Sequence, residues 1–253
     1  MACQQDFNVR HVHLLHQPPL RVPVHIAGHQ QLLSAVTHQH GDAQLSCLLQ
    51  HCFPRRFAAY VRETLNPERY LAGEREGIET RADTVRACAE RVFGHTFISC
   101  RVPYTFGKEI DWEFNPTYNG YEEWPWQLNR HPEWKYLARA YLLTGDERYA
   151  AEWAEQLVSW AKQAQVPENI SGFSTICWRT IEAGIRMTKN WHYAIHAFYR
   201  SPYITDHVMT TIFKSVWEHG FRLRGFCSAA NWLIMELSGL AHIVMLYPIF
   251  IES

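Results

Sequence analysis

The sequence predicts an all-α protein built from successive helical hairpins. Three observations lead there. Between Phe53 and Leu246, apolar residues recur at helical spacing in one segment after another. Residues that stop or start helices separate those segments: Pro67, Gly94, Gly145, Asp206, Ser228 and Pro248. No alternating, strand-like pattern lasts more than a few residues. With 253 residues, 47% of them hydrophobic, the chain can bury a sizeable core.

Residues 1–52 stand apart as a poorly defined leader, and residues 53–253 as the helical domain. Eight of the fifteen histidines fall in the first 51 residues, while all ten tryptophans lie between Trp112 and Trp232. His11, His13, His16, His38 and His40 invite a metal site. No cysteine or carboxylate partners them at matching spacing, so neither a metal nor a cofactor is expected. "RRFAAYVRETL" and "TRADTVRACAERVFG" read as helices, broken by Pro67 and ended by Gly94. Residues 94–129 are rich in aromatics, Gly, Pro and Asn and read as a long irregular loop, the kind of segment that carries function.

A run of helices follows. Residues 133–143 form one. Gly145 ends it as a left-handed C′ residue, and Asp146 caps the next, 147–164, where Tyr149, Trp153, Leu157 and Trp160 share a face. A third helix spans about 174–199. Asp206 caps a fourth, with Met209, Ile212, Phe213, Val216 and Trp217 on one face. Ser228 caps a fifth, 229–246, stopped by Pro248. Between Gly225 and Ile251 only Glu236 carries a formal charge, so this helix reads as apolar nearly all round and buried.

Composition narrows the partners. A net charge of −1 with no basic block argues against nucleic acid and anionic membranes, though a polyanion could still meet arginines that gather locally. Seven cysteines without metal or disulfide spacing read as free thiols. "MACQQDFNVRHVHLLHQPPL" lacks the basic and apolar regions of a secretory signal, and no stretch is apolar enough to span a membrane.

Three places could carry chemistry. The loop "NPTYNGYEEWPWQLNRH" gathers Tyr118, Asn119, Tyr121, Trp124, Trp126, Gln127, Asn129 and Arg130. Such a set suits sugars, with aromatic faces for C–H surfaces and amides and guanidiniums for hydroxyls, carboxylates and sulfates. The same tryptophans could instead fill a core. On the third helix, Trp178, Glu182 and Arg186 are spaced i, i+4, i+8, with Arg179 beside them. They form either a Glu182–Arg186 ion pair that fixes packing or a charged face lining a groove. On the fifth helix, Ser228 as N-cap puts Asn231 at N3, where free N–H groups and the helix dipole attract an anion. A capping or packing amide is the plainer reading of Asn231. His242 lies about 16 Å further along, at ~1.5 Å per residue, and reads as a core histidine.

These segments also resemble a known family. "WPWQLNRHPEWKYLARAYLLTGDERYAAEWAEQLVSW", "GFSTICWRTIEAGIRMTKNW", "SAANWLIMELSGL" and "DWEFNP" are together similar, in order and spacing, to the N-terminal helical domain of the heparinase II/III family of bacterial polysaccharide lyases. The resemblance covers about residues 95–250. It implies an incomplete (α/α) toroid of helical hairpins, here without the β-sandwich that follows it in the family. It implies β-elimination at a uronic acid of an acidic polysaccharide or oligosaccharide, and a periplasmic location.

By the resemblance, Asn231 is the catalytic asparagine that neutralises the uronate carboxylate. Tyr121, Trp124, Trp126, Gln127, Arg130, Arg179, Glu182 and Trp232 become the substrate-binding set. Heparinase III-like members show Asn-Trp at this block and alginate-type members Asn-His, so Asn231-Trp232 tilts toward a heparin- or heparan-sulfate-like substrate. By the resemblance the family's catalytic tyrosine and histidine lie further along than Ser253, so the chain is expected to be a truncated lyase that by itself binds weakly and catalyses little. A truncated toroid would expose an apolar face and self-associate. The alternatives are a non-catalytic glycan-binding domain, an alginate-type oligosaccharide lyase, or an (α/α) glycoside hydrolase using two of Glu122, Glu123 and Glu182.

Overall fold

A computed structural model describes residues 82–167 and 175–247. The His-rich leader, the helix expected at "RRFAAYVRETL" and the 52/53 boundary lie outside them. The described part is mostly helical. Helix α1 (Ala82–Phe93) ends where Gly94 suggests. Helices α2 (Glu123–Leu128), α3 (Trp134–Thr144) and α4 (Arg148–Gln163) follow. Gly145 holds the turn between α3 and α4 at φ 68°, and its N–H closes onto Tyr141 O. The Asp146 carboxylate accepts from the Arg148 N–H, but α4 starts one residue later than expected, so Asp146 lies one position outside the N-cap, Glu147.

The all-α expectation needs one correction. Strands β1 (Thr96–Ser99) and β2 (Val102–Thr105) pair antiparallel within the segment read as a loop. Their turn residues Cys100 and Arg101 both sit at positive φ, 51° and 64°. Tight hairpin turns need that conformation, which Asn-Gly usually advertises. Cys-Arg gives no such signal, and four-residue strands are too short to show alternation.

The third helix begins later than its pattern implies. Residues 175–179 are irregular, and the rod starts at α5 (Thr180–Ile185). It widens into a π-helical turn (Arg186–Asn190) and continues as α6 (Trp191–Phe198). Trp178 therefore precedes the helix. Helix α7 (Asp206–Gly225) is capped by Thr205, whose hydroxyl accepts from Val208 N–H, so Asp206 is its first residue. Helix α8 spans Asn231–Leu246.

Seven tryptophans form the centre of the core: Trp112, Trp124, Trp134, Trp153, Trp160, Trp178 and Trp191 are fully buried. Helix α8 packs on α5 and on the π turn. The approach is close: a Cβ on Gly184 would fall 2.6 Å from Met235 O, and one on Gly239 would fall 2.7 Å from Gly184 O. Two glycines thus let the backbones touch. The opposite face of α8 is open, contrary to the expectation of burial all round. Ile234, Leu237, Val244 and Met245 are exposed, as is Phe221 on neighbouring α7. Among the described residues no helix is long and apolar enough to cross a membrane.

Candidate functional site

The rod α5–π–α6 grips the start of the α3 hairpin at three successive residues. Arg186 Nη1 donates to Asn129 O at 2.7 Å, Asn190 Nδ2 to Arg130 O at 2.6 Å, and Trp191 Nε1 to His131 Nδ1 at 3.0 Å. The π turn sets these donors in line, a use of irregular helix often found at functional sites. Arg186 is wholly buried, and burial lowers its pKa to about 9. Its Nε donates to His219 Nε2, and its guanidinium lies over Trp160 and Trp178.

Held this way, Arg130 reaches Glu182. Arg130 Nη2 donates to Glu182 Oε1 at 2.9 Å and to Glu123 Oε1 at 2.8 Å. Arg179 donates to both oxygens of Glu182, Nε to Oε2 at 2.5 Å and Nη2 to Oε1 at 2.6 Å. The Arg179 guanidinium lies 3.4 Å over the Trp126 ring and 5.0 Å from the Trp232 ring centroid. Gln127 joins through Glu123 at 3.3 Å. Six of the sequence-predicted residues, Trp126, Gln127, Arg130, Arg179, Glu182 and Trp232, therefore form one continuous cluster. Glu123, singled out only for the hydrolase reading, completes it.

The expected Glu182–Arg186 pair gives way to this arrangement, in which Glu182 pairs with Arg179 and Arg130. The two arginines and two carboxylates sum to zero charge, so this quartet is an ordered frame rather than a bare cationic trap. Glu182 is fully buried and both its oxygens are occupied. A hydrolytic acid or base must reach sugar or water, so Glu182 does not fit that role.

Other expected contacts divide clearly. Trp124 is fully buried, and its indole N–H is donated to Val102 O. It serves the core and offers no face to a sugar. Asn129 is likewise a core hub, bonded to Trp112 O, Pro125 O and Trp160 Nε1. Tyr121 is exposed in the loop before α2, as is Tyr118. Two surface hollows, of about 380 Å³ beside Glu113 and Trp178 and about 640 Å³ beside His95 and Tyr203, lie off this cluster.

Asn231 is the first residue of α8, not the third. Ser228 does not cap the helix, because its N–H and hydroxyl are both turned to the Glu236 carboxylate, at 2.7 Å and 2.9 Å. Asn231 is exposed, and its side chain makes no hydrogen bond among the described residues. It adjoins Trp232, which reaches the Arg179 guanidinium. An exposed amide without a hydrogen-bond partner among the described residues thus stands at a helix N-terminus, next in sequence to the tryptophan that meets Arg179. Sequence reasoning could have found the Glu236 lock from one signal: a lone charge in an otherwise apolar helix needs a buried partner.

The family described as Heparinase II/III N-terminus matches residues 48–253. The chain belongs to the heparinase II/III family. A heparin-sulfate lyase of Bacteroides stercoris is 26% identical over 184 residues, covering 65% of this chain and 27% of that protein. A heparin-sulfate lyase of Pedobacter heparinus is 35% identical over 88 residues, 33% of this chain and 12% of that protein. Among solved structures, a heparan sulfate lyase from Pedobacter heparinus superposes with a TM-score of 0.61 at 22% identity, over 88% of this chain and 37% of that one. The fold is thus that of part of a heparinase III structure. This heparinase II/III chain spans about a quarter of the length of the Bacteroides relative.

Proposed function

We propose that this chain forms an arc of an incomplete (α/α) toroid that binds a uronate-containing acidic glycan of the heparan sulfate kind, and that Asn231 receives the uronate carboxylate. The observation that carries the reading is the Asn231 amide, exposed and without a hydrogen-bond partner among the described residues, at the N-terminus of α8 and next in sequence to Trp232, whose ring lies 5.0 Å from the Arg179 guanidinium. β-Elimination removes the proton α to a carboxylate, and negative charge grows on that carboxylate in the transition state. A neutral amide donor, together with free helix N–H groups, stabilises this charge without a proton transfer of its own. Turnover further needs a base for the C5 proton and an acid for the leaving oxygen. Within that reaction the described residues are assigned the carboxylate contact.

A calorimetric titration with a heparan sulfate tetrasaccharide tests the binding. Micromolar to millimolar affinity that falls about tenfold in Asn231→Ala supports it, and affinity unchanged by that substitution overturns it. Release of an unsaturated uronate, read by its near-ultraviolet absorbance, distinguishes elimination from hydrolysis.

A further inference from the structure

We propose that Glu236 and Ser228 are positioning residues for Asn231, a role that rests on the reading of Asn231 as the carboxylate contact. Glu236 is fully buried, five residues into α8 from Asn231. Helical side chains lean toward the N-terminus, and this one reaches back past Asn231 to the loop before it. Oε2 accepts the Ser228 N–H at 2.7 Å, Oε1 accepts the Ser228 hydroxyl at 2.9 Å, and Oε1 also accepts Thr180 Oγ1 at 2.5 Å. Thr180 opens α5 and follows Arg179. One carboxylate therefore ties together the loop that leads into Asn231, the body of α8, and the helix start beside the Arg179 cluster.

The loop needs such a tie. Ala230, the residue before Asn231, sits at φ 65° and ψ −142°. That region is close to glycine-only ground, and a residue stays there only when its surroundings hold it. No side chain caps α8 at Ala230, so the conformation draws no support from capping. The hold comes from the two Ser228 bonds to Glu236 on one side and the Gly184–Gly239 contact, which fixes α8 against α5, on the other. The outcome is an exposed amide at N1 with a set direction. Without the tie, Ala230 can relax to an ordinary conformation and turn Asn231 away.

A double-mutant cycle on the 253-residue chain tests this. Binding of a heparan sulfate tetrasaccharide is measured for the unmodified chain, Ser228→Ala, Asn231→Ala and the double variant, with thermal unfolding alongside. Ser228→Ala is expected to weaken binding at least fivefold and to have no further effect once Asn231 is Ala, because both changes remove one contact. Glu236→Gln should do the same where it folds, and Ser228→Ala carries the test where it does not. Losses that multiply, or a lower melting temperature with affinity intact, overturn the proposal and leave Glu236 a purely structural carboxylate. If Asn231→Ala alone leaves affinity unchanged, the glycan reading fails. The positioning is then judged by NMR: Asn231 side-chain amide resonances that shift in Ser228→Ala support it, and resonances that stay in place overturn it.

Discussion

The Arg179 guanidinium lies 3.4 Å over the Trp126 ring while its Nε and Nη2 grip Glu182. One face of that indole is thereby closed to a sugar, and Arg179 acts as a planar tie between the loop and α5. Glu182→Gln leaves two guanidiniums facing a neutral amide in a buried place. Breaking such a pair from one side costs about 3–5 kcal/mol. Urea unfolding should show a loss of that order, and a loss under 1 kcal/mol would mean that the quartet is not a frame.

Gly184 and Gly239 offer a contest between two effects of opposite sign. Alanine in a helix interior gains about 1 kcal/mol over glycine in propensity. At Gly184 its Cβ would meet backbone at 2.6 Å, and overpacking of this kind costs about 1–3 kcal/mol or more. Gly184→Ala and Gly239→Ala are therefore expected to destabilise. At Gly220 the nearest atom is a methyl of Ile243 at an ordinary 3.6 Å, so Gly220→Ala is expected to stabilise by up to about 1 kcal/mol. Thermal melts of the three variants check the signs.

Acid should unfold the protein through its buried histidines. Burial holds His192 down to about 3, and His131 and His219 well below the usual imidazole range. His219 accepts from Arg186 Nε at Nε2, with Nδ1 on Ser215 O, so its neutral form is built into the packing. Folded pKa values below the unfolded one give stability that is present above pH ~6.5 and lost as pH falls. Glu133 acts the other way. Burial raises it to about 7, so its contribution is full below pH ~4.5 and lost as pH rises through 7. Three histidines outweigh one carboxyl. Unfolding free energy should drop between pH 7 and pH 5, by on the order of 2 kcal/mol for each fully buried histidine. Glu133→Gln should steepen that drop, and a flat profile would contradict the assignment.

The open face of α8 carries Ile234, Leu237, Val244 and Met245, with Phe221 beside it and the helix's one charge, Glu236, turned inward. Contiguous exposed apolar residues mark contact surfaces. We expect the 253-residue chain to self-associate as concentration rises, and Leu237→Lys with Met245→Glu to return it to monomer. Light scattering across a dilution series decides this, and a monomer at every concentration would contradict it.

Much of this was legible in the sequence because periodicity and residue type carried it. The helices α3, α4 and α7 and the joint presence of Arg130, Arg179, Glu182, Trp126 and Trp232 needed only spacing and the family pattern. The rest depended on contacts distant in sequence. Glu182 prefers Arg130, 52 residues away, to the nearby Arg186, and no helical spacing rule contains that choice. Ser228 looks like a cap until Glu236 takes it. The β1–β2 turn is invisible because Cys100 and Arg101 adopt positive φ without glycine or asparagine. The open face of α8 is not legible because an all-round apolar pattern predicts burial without saying which elements cover which face.

The central claim is that Asn231 meets a uronate carboxylate. The most direct measurement compares the affinity of the chain for a heparan sulfate tetrasaccharide with that for the same tetrasaccharide after its carboxylates are reduced to alcohols. The unmodified chain should prefer the carboxylate form by about tenfold, roughly 1.4 kcal/mol, and Asn231→Ala should remove that preference. A preference that survives intact in Asn231→Ala would contradict the account.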